Sequence, residues 1–359
     1  MSTADVEVSS RPLDFDAGAG ALRERFQALA DAEPGLRIRT MAHRLGVAEL
    51  ELLRSGCGDL TGRPLAVSPQ ALLRALPGIN EVMAVTRNPW CVHECTGRYE
   101  GVRAERQVGL VTSDTIDLRI YFNHWHSIWA VSQPDRRSIQ FFDRSGTAVH
   151  KVYATPQTNM ADFEALIGRH LGPDCDEDLV LQPYPPTAPL ESPADPAGLR
   201  AGWLAMTETH QFFPLLQRFR VGRLPALQAV GPDLAQRIPT RYLEDALRRI
   251  SLRGLGVVCY VSNRGVVQIY TGALDNLSRS GEWLNVLDAR FNLHLNIDHV
   301  DSVWVVNKPT EDGWVTALEA YAEGGELIVQ FLAARKPGKP ELRAWRDLLV
   351  GLCEGPLAV

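Results

Sequence analysis

One histidine stands in the middle of an apolar run, in the segment AMTETHQFFPLLQRF at residues 205–219. An imidazole nitrogen is a strong ligand for iron, copper and zinc, and apolar surroundings limit the water that competes for the metal. The alternative is a histidine buried for structural reasons, with its ring satisfied by hydrogen bonds. The residues alone favour this structural role of His210 slightly, so the place of the ring on its element is decisive.

The apolar periodicity predicts one helix over residues 199–219. At about 100° per residue, one face collects Leu204, Phe212, Leu215, Leu216 and Phe219. The side nearly opposite collects His210 with Trp203, Met206, Phe213 and Pro214. A helix with two apolar faces is usually buried on both sides. The functional hypothesis is that the second face forms the floor of a pocket for a flat apolar ligand.

Haem fits a pocket of this kind. Its iron binds a histidine nitrogen, its macrocycle needs apolar walls, and its propionates pair with arginine or lysine. Arg218, Arg220 and Arg223 follow closely in QRFRVGRL, a local basic cluster in an acidic protein. A solvent-exposed surface is the commoner explanation for such a cluster, so both explanations stay open at this point.

A second group of candidate ligands lies in CVHEC, where Cys91, His93 and Cys95 share one face of a predicted strand. Successive side chains on one strand face do not converge easily on a tetrahedral ion, and the CxxC spacing of metal sites is absent. Roles in the core or on the surface are therefore favoured over a metal site.

Residues 36–53, LRIRTMAHRLGVAELELL, have a residue pattern typical of a helix-turn-helix, with Gly46 at the turn. This pattern raises a DNA-binding regulator as a minor alternative. A packed helix pair explains the apolar positions more simply, and a net charge of −6 with a pI near 5.9 opposes contact with nucleic acid.

Length and composition indicate more than one compact unit. The chain has 359 residues, 45% hydrophobic and 22% charged, which is ample material for a core. No apolar run approaches the roughly 18 residues of a membrane span, so we expect no stable membrane insertion. The N-terminus lacks the pattern of a signal peptide, which predicts a cytoplasmic protein with roughly 20 flexible leading residues. The six scattered cysteines are expected to be thiols.

The chain divides into two related halves. Six prolines between Pro183 and Pro196 predict an extended linker over 183–198, between an N-terminal repeat at 1–182 and a C-terminal repeat at 199–359. One offset of 175 aligns 87–97 with 263–272 and also 117–131 with 292–306. With four residues of drift, 139–153 aligns with 318–332. A shared offset across separate blocks indicates an internal duplication.

The elements in each half predict an α+β fold. Segments such as VVCYVSN, GVVQIYTG and SVWVVNK are rich in β-branched and aromatic residues and are bounded by turn residues. Helical patterns precede them, at 20–33, 38–55 and 69–76 in the first half and at 199–219, 223–231 and 239–251 in the second. Because strands and helices are grouped separately, each half is predicted to hold a large antiparallel sheet flanked by helices.

The sequence closely resembles the bacterial cytoplasmic haemin-transport and haemin-degrading factor family, which is associated with haem-uptake operons. The blocks that carry the resemblance are RNPWCVHECTG, DLRIYFNHW, SIQFFDRSGTAVHKVYAT, AMTETHQFFPLLQRF, SNRGVVQIYTG, FNLHL and NKPTEDGWVTALE. They follow the family order over nearly the whole chain. The resemblance implies a tandem structural repeat with haem held beside the second-half sheet, and it shifts the balance for His210 towards haem.

Matched position by position, the resemblance implies that His210 is the proximal ligand of the haem iron and that Arg119 reaches the distal side from the first half. It implies propionate or pocket contacts for Arg223, Lys308, Gln330 and Arg335, and pocket walls formed by Met206, Phe213 and Tyr121. His93 and His294 are auxiliary candidates of lower weight. Leu332 stands where the family usually has a tyrosine, and Tyr121 where relatives often have phenylalanine.

The resemblance predicts a cytoplasmic haem-binding protein that receives imported haem and traffics it for iron release. An inner-membrane haem importer, a haem oxygenase or both are the implied partners. The alternative is an oxygenase-type enzyme that opens the macrocycle itself. A single strong axial nitrogen leaves the other side of the iron open, which suits both roles, and the carrier role is preferred.

Overall fold

The computed structural model describes residues 15–173, 179–185, 191–335 and 338–359. Within these ranges the chain forms ten α-helices and eighteen strands. The helices are α1 (Phe15–Ala32), α2 (Ile38–Leu45), α3 (Glu49–Arg54), α4 (Pro69–Ala75), α5 (Met160–Arg169), α6 (Pro196–Leu204), α7 (Phe212–Phe219), α8 (Arg223–Ala229), α9 (Tyr242–Leu252) and α10 (Arg343–Val350). None of the helices in these ranges is long and apolar enough to cross a membrane.

The eighteen strands divide equally between the two halves. The first half forms β1 (Thr61–Pro64), β2 (Asn80–Arg87), β3 (Cys91–Gly97), β4 (Arg103–Glu105), β5 (Val108–Thr112), β6 (Asp117–Tyr121), β7 (Ser127–Gln133), β8 (Arg136–Phe142) and β9 (Ala148–Thr158). The second half forms β10 (Ala235–Ile238), β11 (Val257–Ser262), β12 (Val266–Gly272), β13 (Leu277–Ser280), β14 (Trp283–Leu287), β15 (Phe291–Asn296), β16 (Ser302–Thr310), β17 (Gly313–Tyr321) and β18 (Leu327–Ala333).

These strands form two nine-stranded antiparallel sheets, and each sheet is shared between the halves. The first sheet has the order β1-β7-β8-β9-β2-β3-β15-β14-β13, and the second has the order β10-β16-β17-β18-β11-β12-β6-β5-β4. Each half therefore gives six strands to one sheet and three to the other. The α+β class with two large antiparallel sheets is confirmed. The structure adds the exchange of three strands, which hydrophobic patterning does not reveal.

The internal duplication is visible in the strand order and in matching contacts. Each strand of the first half occupies the same place in its sheet as the strand nine later in the second. At the tip between β2 and β3, Asn88 Nδ2 donates to the carbonyl of Ile328 at 2.7 Å. The equivalent Asn263 Nδ2, at the tip between β11 and β12, donates to the carbonyl of Val149 at 2.8 Å. The two hairpin tips thus fasten the sheets to each other.

The inner faces of the two sheets pack together as the main apolar core. Buried side chains at the centre include Val82, Ala84, Cys91 and Cys95 from the first half and Val257, Cys259 and Val261 from the second. The four fully buried cysteines among the described residues are free thiols, as expected. Since successive side chains of a strand point to opposite faces, the alternate residues of each strand point outward, away from this core.

Helices α6, α7 and α8 cover part of the outer face of the second sheet. Their buried side chains Leu199, Trp203, Phe212, Leu215, Leu216, Leu224 and Leu227 pack on Trp304, Val306, Ala317 and Tyr321 of β16 and β17. Each large apolar side chain buried in this way contributes about 1.5–3 kcal/mol. The neighbouring strands β18, β11, β12 and β6 are left without a helix on their outer side chains, many of which are partly exposed.

The single helix predicted over residues 199–219 is wrong. α6 ends at Leu204, a turn follows, and α7 begins at Phe212. Pro214 is the third residue of α7, where the backbone N–H it lacks would have no partner in the helix, so it begins a helix rather than bending one. The predicted faces are altered accordingly, since Trp203 is fully buried and Leu204 is exposed.

Two other predicted boundaries also change. The pattern at 38–55 forms two helices, α2 and α3, separated by Gly46 with a positive φ of 69°. α6 begins at Pro196, within the predicted linker, with the Asp195 carboxylate accepting from the Gly198 N–H as an N-cap. Residues 186–190 of that linker and residues 1–14 lie outside the described residues, so the linker, the flexible N-terminus and the division into repeats stay predictions.

Candidate functional site

The outward side chains of β18, β11, β12 and β6 form one continuous surface, which we call the open face. Its members are Gln330 and Leu332 on β18, Val258 and Tyr260 on β11, Val267 and Ile269 on β12, and Asp117, Arg119 and Tyr121 on β6. Cross-strand partners in an antiparallel sheet lie on the same side. Arg119 is paired with Val267, so the exchanged strand β6 brings a first-half arginine beside second-half residues.

His210 lies on a short 3₁₀ turn, Thr209–Gln211, between α6 and α7. Its side chain is 91% exposed, and Nδ1 lies 3.9 Å from a carboxylate oxygen of Glu208. This exposure excludes the buried structural role. The turn is held through its backbone and neighbours: the N–H of Thr207 donates to Gln211 Oε1 at 2.8 Å, and the N–H of Glu311 donates to the Thr207 carbonyl at 2.8 Å.

The three predicted wall residues lie in different environments. Met206 is buried in the core beneath α6 and α7, so it supports the His210 turn from below rather than lining a surface. Phe213 and Tyr121 are large and exposed, at 66% and 40%. Exposed aromatic rings of this size are available to a ligand, whereas Met206 is not.

Arg223 and Lys308, two of the predicted propionate contacts, meet at one buried carboxylate, Glu319. Arg223 binds it with two nitrogens, Nε to Oε2 at 2.9 Å and Nη2 to Oε1 at 2.6 Å. Lys308 Nζ lies 3.3 Å from Oε1, and Gln330 Nε2 donates to the same oxygen at 3.0 Å. The Tyr321 hydroxyl donates to Oε2 at 2.5 Å. We call these five residues the Glu319 network; its formal charge is one positive unit.

Burial and mutual attraction set the protonation of this network. Burial lowers the pKa of Lys308 to about 8, although the attraction of Glu319 opposes the change. Burial alone would raise the pKa of Glu319, but Arg223 and Lys308 outweigh it and lower that pKa to about 2. The carboxylate is therefore ionised at neutral pH, whereas the charge of Lys308 is lost just above it.

The remaining predicted cations are also paired. The Arg119 guanidinium forms an ion pair with Asp117, two residues earlier on the same face of β6. Arg335 Nη1 lies 3.4 Å from a carboxylate oxygen of Asp312 and donates to the carbonyl of Lys339 at 3.0 Å. Arg335 follows β18, so it stands at the end of the open face rather than on it. An anionic ligand that binds either arginine would have to share it with the aspartate that the arginine already contacts.

The two auxiliary histidines lie away from the open face. His93 is fully buried between the sheets, edge-on to Phe291 at 5.0 Å between ring centroids, and burial lowers its pKa to about 3. His294 is half-buried on the outer face of the first sheet, at the position equivalent to Arg119, with Nδ1 2.7 Å from Asn285 Oδ1. The structure therefore does not bring either ring to the candidate site.

Sequence reasoning missed Glu319, Tyr260 and Asp117. In GWVTALEAY the alternation places Glu319 on the same side as Ala317 and Tyr321, which is the signal of a carboxylate on a buried face. Tyr260 stands opposite Gln330 on the next strand, diagonal to Leu332. Burial raises its pKa, an effect that Asp117 reinforces and Arg119 opposes. A phenol is thus present on the open face, although not at the position where the resemblance implies one.

A separate cavity of about 1000 Å³ lies at the end of the sandwich where the two hairpin tips meet. Its walls come from the turn between α2 and α3, the tips of β2–β3 and β11–β12, and the turn between β8 and β9. None of the predicted site residues lines it. The candidate site accordingly consists of the open face, the Glu319 network and the exposed His210 turn, and does not include this cavity.

The donor set of the open face fits a flat apolar molecule that carries its own metal and acidic groups. Among the described residues, no group of three or more histidine, cysteine, aspartate or glutamate side chains could hold a metal ion. A lone exposed imidazole is a poor site for a bare ion but a suitable axial ligand for a metal held in a macrocycle. Val258, Val267 and Leu332 supply apolar area, and the Glu319 network supplies excess positive charge for carboxylates.

Comparison with known proteins gives consistent matches. The model of the haemin-degrading HemS/ChuX domain matches residues 46–170 and again 220–352. The hemin transport protein HmuS of Yersinia pestis is 38% identical over 345 residues, covering 95% of this chain and 99% of that protein.

Two solved structures are similar over nearly their whole length. The holo form of PhuS, a heme-binding protein from Pseudomonas aeruginosa, has a TM-score of 0.85 at 38% identity and covers 95% of this chain and 99% of its own. ChuS, an E. coli heme oxygenase, has a TM-score of 0.81 at 31% identity and covers 92% and 99%.

Proposed function

Because the chain belongs to the haemin-degrading HemS/ChuX domain family, we propose that it binds haem, receives it after import and passes it on for iron release. The observation that carries the proposal is the exposed imidazole of His210, which stands two residues before Phe212, the ring that Arg223 and Lys308 contact. The relatives support it, since they include a hemin transport protein and a heme-binding protein. We place this activity in the cytoplasm.

In this proposal His210 supplies the proximal nitrogen to the iron, and Arg119 stands on the distal side. The apolar side chains of the open face and the rings of Phe213 and Tyr121 exclude water from the macrocycle. Arg223, Lys308, Gln330 and Arg335 are the groups proposed to hold the propionates. Arg119 is tied to Asp117, which limits its strength as a second axial group, so the iron keeps one strong protein ligand.

One strong ligand suits a carrier. Two tight axial ligands would slow release, whereas a single imidazole would allow another protein to bind the iron from its open side and take over the whole haem. The proposed partners are an inner-membrane haem importer as donor and a haem oxygenase as acceptor.

The test is a haemin titration of the unmodified protein, His210→Ala and His126→Ala, followed by the Soret band. His126 is an exposed histidine on the connection between β6 and β7, so its replacement controls for the loss of a surface imidazole. The expected result is a shifted Soret band and weaker binding for His210→Ala alone. Identical spectra and affinities for all three proteins would remove His210 as the ligand.

The second candidate function is degradation of haem by this chain, which the similarity to ChuS, described as a heme oxygenase, favours. The discriminating experiment supplies a reductant to the haemin complex with catalase present. Loss of the Soret band with one defined tetrapyrrole product supports an enzyme. Loss that catalase abolishes indicates peroxide damage and leaves the carrier function.

A further inference from the structure

The His210 ring makes few contacts of its own, so its position depends on the residues on either side of its turn. The carboxylate of Glu208 at 3.9 Å is exposed, and exposed ion pairs contribute little. On the N-terminal side the turn is held by the hydrogen bonds of Thr207. On the C-terminal side the first buried side chain is that of Phe212, two residues after His210, at 4% exposure.

Two cations lie over the ring of Phe212. Lys308 Nζ is 4.3 Å from the ring centroid, and the guanidinium carbon of Arg223 is 5.1 Å from it. Trp203 packs edge-on against the same ring at 4.7 Å. A desolvated cation over an aromatic face contributes substantially more to stability than an exposed one. These contacts therefore hold Phe212, the first residue of α7, firmly in place after the His210 turn.

Neither cation reaches Phe212 independently, because both are bound to Glu319. The carboxylate is fully buried and lies on β17, the third strand from one edge of the second sheet. Its two oxygens accept from Arg223 on α8 and from Lys308 on β16. Without the carboxylate, the two positive charges would repel each other in a buried place, and neither would stay against the ring.

We propose that Glu319 is a positioning residue of the candidate haem site, which fixes the His210 turn by holding Arg223 and Lys308 against the ring of Phe212. This inference rests on the proposed function for its consequence in haem binding, although its effect on the turn exists without haem. Through the Glu319 carboxylate, the second sheet therefore fixes the position of the His210 imidazole.

The first half lacks this arrangement. The residue equivalent to Glu319 in the duplication is Gln140, whose amide donates to the Ser138 hydroxyl at 3.0 Å. A buried carboxylate of that half comes instead from Glu49 on α3, which binds Lys151 on β9 at 2.9 Å and lies 3.7 Å from Arg39 on α2. In the first half a helix contributes the anion, whereas in the second the sheet contributes it. In the described part of the chain, only the second half places paired cations over an aromatic ring next to a histidine.

The first experiment measures hydrogen exchange of the protein without haem. Glu319→Gln removes the charge at nearly constant volume, and exchange of the segment 207–213 is expected to be on the order of tenfold faster. The matched control is Glu341→Gln, which removes another buried carboxylate, one that binds Arg346 at 3.2 Å and accepts from Thr316 at 2.7 Å. It should leave that segment unchanged. Unaltered exchange of 207–213 in folded Glu319→Gln would overturn the proposal.

A second variant protects the test against misfolding. Phe212→Leu keeps an apolar side chain and the whole Glu319 network but removes the ring that the cations contact. It should accelerate the same segment, and adding Glu319→Gln to it should accelerate the segment no further, because both act through one contact. Exchange of Phe212→Leu at the rate of the unmodified protein would contradict the proposal.

The consequence for binding is measured with haemin. Glu319→Gln should bind on the order of tenfold more weakly. In a His210→Gly background with excess free imidazole, the axial ligand no longer depends on the turn, so Glu319→Gln should cost much less affinity there than in the unmodified background. An equally large loss in that background would mean that Glu319 acts through the propionate contacts of Arg223 and Lys308 and not through the turn, which refutes the proposal.

The two failures are distinguishable. If His210→Gly without imidazole binds haemin with the spectrum and affinity of the unmodified protein, His210 is not the ligand and the proposed function fails at that residue. The exchange result would then still decide whether Glu319 holds the turn.

Discussion

Replacing Lys308 by methionine should make the protein more stable and a weaker binder of haemin at once. The Nζ of Lys308 is buried, and the residue is 4% exposed in total. Its removal does not leave Glu319 unpaired, because Arg223 still binds both carboxylate oxygens. Methionine fills a similar volume with an unbranched apolar chain. The variant therefore removes a costly charge without leaving an orphaned one.

The magnitude follows from the pKa of Lys308, which burial lowers from 10.5 to about 8. The unfolded chain holds this proton up to about pH 10.5, whereas the folded protein releases it near pH 8. Stability therefore rises with pH across that window and is lost as the pH falls through it. At about 1.4 kcal/mol per pKa unit, Lys308 costs roughly 3 kcal/mol at pH 7 and roughly 1 kcal/mol at pH 10.

The assay is urea unfolding at pH 7 and pH 10, followed by tryptophan fluorescence, for the unmodified protein and Lys308→Met. Lys339→Met, at an exposed lysine, controls for the loss of one positive charge. Lys308→Met should gain about 1–3 kcal/mol at pH 7, after allowance for imperfect packing, and the gain should shrink towards pH 10. A variant that is less stable than the unmodified protein at pH 7, with no change in the difference at pH 10, would refute the reasoning.

Three further outcomes are expected. Haemin affinity of the unmodified protein should fall as the pH rises through about 8, because Lys308 loses the charge that would pair with a propionate, and Lys308→Met titrated over the same range should show no such fall. Arg119→Ala should alter the absorption spectrum of bound haemin more than its affinity, because its guanidinium already has Asp117 as a partner; a large loss of affinity with an unchanged spectrum would contradict this. His93→Gln should change stability at neutral pH by about 1 kcal/mol or less, since Gln268 fills the equivalent place. Burial lowers the pKa of His93 to about 3, so His93 contributes stability above pH 6.5 that is lost on acidification; acid unfolding should therefore begin at lower pH in His93→Gln, and an unchanged acid transition would count against this cause.

The sequence predicted the fold well where periodicity and repetition carry the information. Alternation gave the strands, and the offset that aligns Gly97 with Gly272 placed β3 and β12 in equivalent positions. The exchange of β4–β6 and β13–β15 could not be predicted in this way. Strand pairing is a contact between segments that are distant in the sequence. The same alternate residues would be buried whether each group of three strands stayed in the sheet of its own half or joined the other sheet.

The candidate site was predicted less evenly. The family resemblance, not periodicity, selected His210, since the continuous helix used to place its ring does not exist. The prediction that His210 shares a helix face with Trp203 and Met206 is wrong. Those two side chains are buried in the core, while the imidazole stands on an exposed turn. Glu319 was missed because one carboxylate in a strand has no periodicity of its own. Its importance comes from Arg223 and Lys308, which lie 96 and 11 residues away.

The exchange of strands has a consequence for how the polypeptide could be divided. In the described part of the chain, each half holds six strands of a sheet that ends, without the other half, at the bare edge of β3 or β12. The two halves are joined by the peptide connection between α5 and α6. Two separately produced fragments, divided in that connection, should associate, because each supplies the three strands that complete the sheet of the other. Arg119 would come from one fragment and His210 from the other, so the haemin spectrum would report their reunion.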